Sequence, residues 1–382
     1  MIRLKRKSEA FRAILGLVTL AAMLPVVAAK AAEEKASGSD KAVYARTVAS
    51  AIEFLKNKGQ AADGSFSAQA GPGVTAVVAT GLLRQGLSPD DPAVAKALKY
   101  LAGFARPDGA ISPKGSMYSN YETALGLMCF AEANRDGRYT VLIKNAEKFL
   151  KANQWTEGQG VDPSNPSYGG AGYGRHKRPD LSNTQFLIEA LKAAGAGPDD
   201  EALKKALIFV SRCQNLESEH NTLPHPPKNP DGGFYYTAAA GGESQAGKLP
   251  NGGLRSYGSM TYAGLKSMIH AGVTADDPRV KAAVSWIKQH YGMESNPGIG
   301  DAGLYYYYQT LAKALETAGM KELVDAKGQQ HDWRHDLLME VAERQQADGS
   351  WLNTNPRWME GDPNLVTGYV LLALSYAKPA EK

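Results

Sequence analysis

The chain has 382 residues, with 43 Lys and Arg against 39 Asp and Glu, a net charge of +4. The first 31 residues hold six of the basic groups and one acid, which leaves 37 basic against 38 acidic residues in the remainder. The apparent basicity therefore belongs to the leading segment and lends no support to nucleic-acid binding.

Taken in order, residues 1–31 read as a secretory signal. Arg3, Lys5, Arg6, Lys7 and Arg12 form a basic start, Ala13 to Ala29 is apolar, and Ala29-Lys30-Ala31 supplies small residues for cleavage. A retained membrane anchor is the alternative, but the run is short for a span of about 20 residues and contains Pro25. Residues 32–40 read as a linker. The expected location is periplasmic or extracellular.

From residue 41 to 378 one unit of two helices is written six times, a period that decides the fold before any residue-level argument. The first helix of each unit carries a small apolar block: Ala51–Leu55, Ala97–Leu101, Ala146–Leu150, Ala206–Val210, Ala283–Ile287 and the diverged Leu337–Val341. Apolar residues at three- and four-residue spacing make these amphipathic. The second helix has three marks. Thr75, Thr123, Thr184, Thr261, Tyr308 and Thr367 open it; Gly81, Cys129, Ala190, Ser267, Ala314 and Ala373 follow six residues later. Gly86, Gly195, Gly272 and Gly319 then stop it, with Asn134 in the equivalent place. Glycine there suits a left-handed helix stop.

Three connecting turns repeat an aspartate pair, at Asp90-Asp91, Asp199-Asp200 and Asp276-Asp277. One structural position used three times argues for helix N-caps rather than a metal or proton-donor site. Gln60…Gly64-Ser-Phe66 is copied in Gln345…Gly349-Ser-Trp351. The glutamine is expected to bond free backbone groups, and the ring to pack on the next unit; carbohydrate stacking on Phe66 and Trp351 is the functional alternative. Cys129 and Cys213 read as packing residues more readily than as a disulfide.

The Gln-x-x-x-Gly-x-Trp string of Gln345, Gly349 and Trp351, echoed at Phe66, resembles the repeat of squalene cyclases and protein prenyltransferase β subunits over nearly all of residues 41–377. The resemblance implies an all-α (α/α)6 toroid of six helix pairs, the Thr-marked helices inside, around a central cavity that often takes isoprenoids. The chemistry of those families does not carry over. The Asp-x-Asp-Asp string of the cyclases, a zinc-ligand set beside Cys129 and the Cys-Gly-Glu-Gln string of thioester relatives are not found. No cofactor or metal is expected.

In such a toroid, functional groups sit in the loops and first turns before the inner helices. Glu122, His176, Asp180 and Asp301 are candidate acid–base residues there. Tyr121, Arg175, Arg255, Tyr257, Tyr306, Tyr307 and Asn364 are candidate ligand contacts. His176 with Asp180 or Glu122 is one acid–base pairing. Arg175, Arg178 and Arg255 either hold an anion or pair with Asp180, Asp301 and Asp362 between units. Four successive tyrosines, Tyr305 to Tyr308, cannot all face inward. His331 and His335 share a helix face but lie away from the mouth. Two long segments rich in Gly, Pro, Asn and Ser, residues 155–180 and 215–256, both lead into inner helices and are expected to cover one mouth. Two readings follow: a binding or scaffold protein whose cavity holds an isoprenoid, a carbohydrate or a partner, or a divergent enzyme of the toroid group.

Overall fold

A computed structural model describes residues 39–174 and 178–379. The expected signal at 1–31 lies outside them. The inner helices are α2 (Pro72–Arg84), α4 (Ser119–Ala133), α6 (Leu181–Ala193), α8 (Gly258–His270), α10 (Leu304–Thr317) and α12 (Pro363–Tyr376). The outer helices are α1 (39–54), α3 (Pro92–Ala102), α5 (Thr140–Ala152), α7 (Glu201–Arg212), α9 (Pro278–His290) and α11 (Trp333–Glu343). A two-residue hairpin, β1 (Leu323–Val324) with β2 (Gln330–His331), lies between α10 and α11. Each inner helix packs on the next, and α12 returns to α2, so the ring closes. The outer helices pack against this ring; α5 bridges α4 and α6, α7 bridges α6 and α8, and α11 bridges α10 and α12. No helix among the described residues is long and apolar enough to cross a membrane.

The repeated marks have physical jobs. Asp91, Asp200 and Asp277 cap α3, α7 and α9, each accepting from the backbone N–H two residues on, at 3.0, 2.9 and 2.8 Å. Gly86, Gly195, Gly272 and Gly319 close the inner helices with φ of 98°, 96°, 91° and 65°. Asn134 does not do this. Its φ is −81°, and its side chain instead accepts from Tyr139 N–H and donates to Thr140 Oγ1, joining the end of α4 to the start of α5. The small residue after each Thr lets inner helices meet: a Cβ on Gly81 would stand 3.1 Å from Leu371 Cβ. Both cysteines are buried and free.

Threonine and glutamine tie each unit together. Thr75, Thr123, Thr184, Thr261 and Thr367 accept from the N–H of Phe66, Ile111, Ala171, Phe234 and Trp351, the residues ending the preceding turn. Tyr308 replaces Thr in the fifth unit and its longer hydroxyl donates to Met293 O at 2.6 Å. Gln60, Gln154, Gln214 and Gln345 each donate twice from Nε2. One bond goes to the carbonyl of the turn glycine, Gly64, Gly169, Gly232 or Gly349. The other goes to the next outer helix, at Ala93, Ala202, Arg279 or Thr47. Those glycines have φ between 78° and 91°, and a Cβ on Gly169 would stand 1.8 Å from Lys205 O. Phe66 and Trp351 are fully buried, so neither ring is free to stack on a carbohydrate.

Candidate functional site

The inner-helix N-termini all reach one mouth of the ring, and most are capped by acids or amides. Asp180 caps α6 and Asp362 caps α12. Glu360 reaches across to accept from the N–H groups of Tyr305 and Tyr306 in α10. Asn296 accepts from Ser259 N–H in α8. These groups saturate the partial positive charge that bare helix ends would offer an anion.

Below this mouth lies a cavity of about 590 Å3. Its wall follows one rule: the residue two before the repeat's Thr mark faces it in every unit. Those residues are Gly73, Tyr121, Ser182, Ser259, Tyr306 and Leu365. Phe186 and Tyr369, two residues after their marks, form the floor with Tyr121 and Tyr306. The floor hydroxyls are used within the protein. Tyr306 bonds Ser182 at 3.0 Å and Gln185, and the hydroxyls of Tyr121 and Tyr369 lie close enough to act on each other. The two long segments add Tyr173, Tyr236 and Gln245, and the turn before α12 adds Trp358 and Met359. Arg357 meets Gln245, and Arg178 pairs with Glu243, so these segments touch across the rim. Trp358 and Met359 have φ of 54° and 66°, a costly backbone for non-glycine residues. They are held between Glu360 and Gly303, where any side chain would strike the indole.

Among the candidate residues, Tyr121, Glu122, Tyr257 and Tyr306 face the cavity. Glu122 is 5% exposed and accepts one bond, from Ser116 Oγ at 2.7 Å. Burial pushes its carboxyl above the ordinary glutamate range, opposed by Ser116 and by the charge of Arg106. Asp180 sits behind the wall. Its two oxygens accept from the backbone and side-chain amides of Asn183, both at 2.8 Å, and Tyr236 lies close enough to act on its charge. Burial raises it to about 6.

Other candidates stand elsewhere. Tyr307 is core: it is fully buried and donates to Gly292 O, because successive helical residues diverge by about 100°. Asn364 bonds Gly59 O and Ser67 Oγ, a link between the ends of the chain repeat. Asp301 and Arg255 are exposed. Asp301 offers its backbone carbonyl to Asn353, and among the described residues the Arg255 guanidinium reaches Lys248 O. Arg175 and His176 lie outside the described residues. The proposed acids thus do not converge: Glu122, Asp180 and Asp301 each answer to a different neighbour. His331 pairs with Asp325 and Asp336, and His335 with Asp40, so the two do not share a ligand. Among the described residues no group of three metal-ligating side chains forms.

Beneath the aromatic floor lies a buried ionic cluster. Glu189 of α6 meets Lys266 of α8 at 2.6 Å and Lys313 of α10. Lys266 has no exposed side-chain surface. Burial and the second ammonium lower it to about 8, despite Glu189. Sequence reasoning missed this cluster and the cavity residues Phe186, Tyr236 and Tyr369. The first could have been found by counting five residues beyond the Thr marks.

No family model matches the chain, and no curated protein matches it. Solved structures share its architecture. Polysaccharide lyase BACCELL_00875 aligns at a TM-score of 0.52 with 12% identity, over 87% of this chain and 96% of that one. The type II terpene cyclase MstE from Scytonema aligns at 0.50 with 13% identity, over 88% and 98%. Glycosyl hydrolase family 88 from Bacteroides vulgatus gives 0.50 and 13%, over 87% and 98%. At such identities the likeness establishes the alpha–alpha toroid and nothing about chemistry.

Proposed function

We propose that this chain is an exported binding protein that holds one small molecule, mainly apolar in body, in the cavity at the capped mouth of its toroid. The observation carrying this reading is the wall: mainly aromatic and aliphatic side chains, with the deep hydroxyl of Tyr306 already bonded to Ser182 and Gln185. The volume of about 590 Å3 lies within the range of small-molecule sites. A carbohydrate would need several free hydrogen-bonding groups at depth, whereas an isoprenoid-like or similarly apolar body needs ring faces and methyl groups. Cyclase and zinc prenyltransferase chemistry is not part of the proposal, because the acids that would serve it are divided among separate structural tasks.

The second reading, a divergent toroid enzyme, rests on one specific juxtaposition: Tyr236 lines the cavity and lies close to the buried Asp180, whose charge it acts on. Native mass spectrometry of the chain purified gently from its own host separates the two. A bound small molecule at one per chain, absent from an Ala70→Trp variant that fills the mouth, supports binding. An adduct that changes mass on incubation while wild type is compared with Asp180→Asn supports turnover. A chain that arrives empty and takes up no apolar probe refutes the binding proposal.

A further inference from the structure

The buried ionic cluster beneath the aromatic floor is out of balance. Lys266 Nζ stands 2.6 Å from one oxygen of Glu189, and Lys313 Nζ stands 2.5 Å from the other. Arg84 is matched by Glu132, its Nε meeting that carboxylate at 3.1 Å. Three cations, Lys266, Lys313 and Arg84, thus face two acids, Glu189 and Glu132, and one positive charge is left over. Proton loss does not remove it at neutral pH. Burial lowers Lys266 only to about 8, and Lys313, buried but beside Glu189, is held above the ordinary lysine value. Beyond its ion pair, Lys266 Nζ has no hydrogen-bond partner among the described residues. The negative helix ends do not supply the missing charge. Lys266 and Lys313 each stand four residues before the end of α8 and α10, and the influence of the dipole fades within the last turn.

Open space adjoins this surplus. A chamber of about 30 Å3 is lined by Arg84, Lys313, Glu189, Gln309, Thr80 and Tyr376, with apolar side chains between them. About 10–15 Å3 of such space holds one water, so the chamber suits a single-atom ion better than a phosphate or sulfate. Water would fill the space without supplying charge, and a cation would add to the surplus. A large monovalent anion sheds its hydration at less cost than a small or multiply charged one. Phe186 and Tyr369 line both this chamber and the cavity at the mouth, so the two spaces lie on opposite sides of the floor. Lys313 and Arg84 keep 14% and 25% of their side-chain surface exposed, and Arg84 ends α2. Ions therefore reach the chamber from the end of the ring opposite the mouth.

From the surplus charge and the chamber beside it we infer that this is a halide site: one chloride-class anion, held by Lys313 and Arg84, balances the cluster and ties α2, α6, α8 and α10 together beneath the floor. The site stands whether or not the cavity at the mouth binds a ligand.

Thermal melts of the purified chain in sodium gluconate, with chloride or bromide exchanged in at constant ionic strength, test it. An ion that binds only the folded state raises Tm as its concentration passes the dissociation constant. Chloride and bromide each raise Tm along a saturating curve, and sulfate at matched ionic strength does not. Lys313→Met moves half-saturation upward by about tenfold or more, whereas Lys144→Met, which removes an exposed surface pair, leaves it unchanged. A wild-type crystal grown in sodium bromide gives a readout that needs no variant: an anomalous peak against Lys313 and Arg84 supports the assignment. A chamber that holds water alone, no difference among the three kinds of salt, or a halide dependence unchanged in Lys313→Met overturns it. Bromide seen in the chamber without a saturating rise in Tm is an adventitious ion only, and overturns it too.

Discussion

Lys266 and Glu189 lie in the same buried cluster, yet their removal should act in opposite directions. Glu189 serves two ammonium groups, Lys266 and Lys313, so the cluster carries one surplus positive charge in a site with almost no solvent. Replacing Glu189 by Gln leaves both ammoniums without a counter-charge, at a cost of about 3–5 kcal/mol. Replacing Lys266 by Met removes the surplus and leaves a one-to-one pair of Glu189 with Lys313. That change should be neutral or stabilise by about 1–3 kcal/mol. The depressed Lys266 supplies a second, independent sign. Its folded value of about 8 lies below the ordinary lysine value of 10.5. The charged form is therefore disfavoured by folding, fully so below pH 8. The penalty, about 3 kcal/mol, is relieved as pH rises from 8 toward 10.5. Urea denaturation at pH 7 and pH 9.5 reads both effects. Wild type should gain stability over that interval relative to Lys266→Met. If Lys266→Met is as damaging as Glu189→Gln, or both proteins change equally with pH, the surplus-charge argument fails.

The remaining predictions use other parts of the ring. Gly349→Ala puts a Cβ 2.2 Å from Ser50 O at a φ of 91°; it should cost more than about 2 kcal/mol, whereas Gly86→Ala, with open space around its Cβ, costs only the left-handed penalty of about 1–2 kcal/mol, a difference measurable by chemical denaturation. Tyr306→Phe should alter ligand affinity by loosening Gln185 and Ser182 at the cavity floor, while Tyr307→Phe should lower stability by about 1 kcal/mol through its lost bond to Gly292 and leave affinity unchanged; titration and thermal melts check the pair. Asp180, raised to about 6 from 3.8, destabilises the fold in its charged form above pH 6, and that cost is relieved as pH falls toward 3.8. Asp180→Asn keeps an N-cap and should stabilise the protein at pH 7.5 but not at pH 4, again by urea denaturation. Phe186→Ala should open the floor and shift preference toward longer apolar ligands by at least threefold, read by titration of an alkyl series.

The architecture was legible in the sequence because its repeated marks answer backbone demands. A left-handed stop, a turn pressed against the next helix and a polar side chain satisfying two carbonyls each admit few residue types, so Gly86, Gly349 and Gln345 declare themselves without a structure. Asn134 misled in one detail: asparagine tolerates the left-handed conformation but also caps the following helix, and here capping prevails. Arg255 and Asp301 misled more seriously. Charged residues at the level of the mouth were read as facing inward, yet their long or exposed side chains find solvent and backbone partners outside. Tyr307 was misplaced because a run of four identical residues conceals its own periodicity. The Thr mark would have resolved it, since the cavity position precedes the mark by two residues and therefore selects Tyr306. Tyr236 was harder. It sits on a long turn whose path depends on contacts with other units, such as Thr237 to Pro179 O, and no local pattern encodes those.

The axial positions of the inner helices also give the site its polarity. Two residues before the Thr mark the ring presents Gly73, Tyr121, Ser182, Ser259, Tyr306 and Leu365, a mixture of small and aromatic groups that leaves a cavity. Two residues after it, Val77, Leu125, Phe186 and Tyr369 narrow the axis. A smaller space of about 30 Å3 lies below them. Five residues after the mark come Glu189, Lys266 and Lys313, and the axis is closed by charge. On the binding reading proposed above, Phe186 and Tyr369 mark the depth a molecule entering from the capped mouth would reach. The helix ends at that mouth are capped by Asp180, Asp362 and Glu360. One repeated helix thus writes three layers along a single axis: a receptive one, an aromatic floor and an ionic plug.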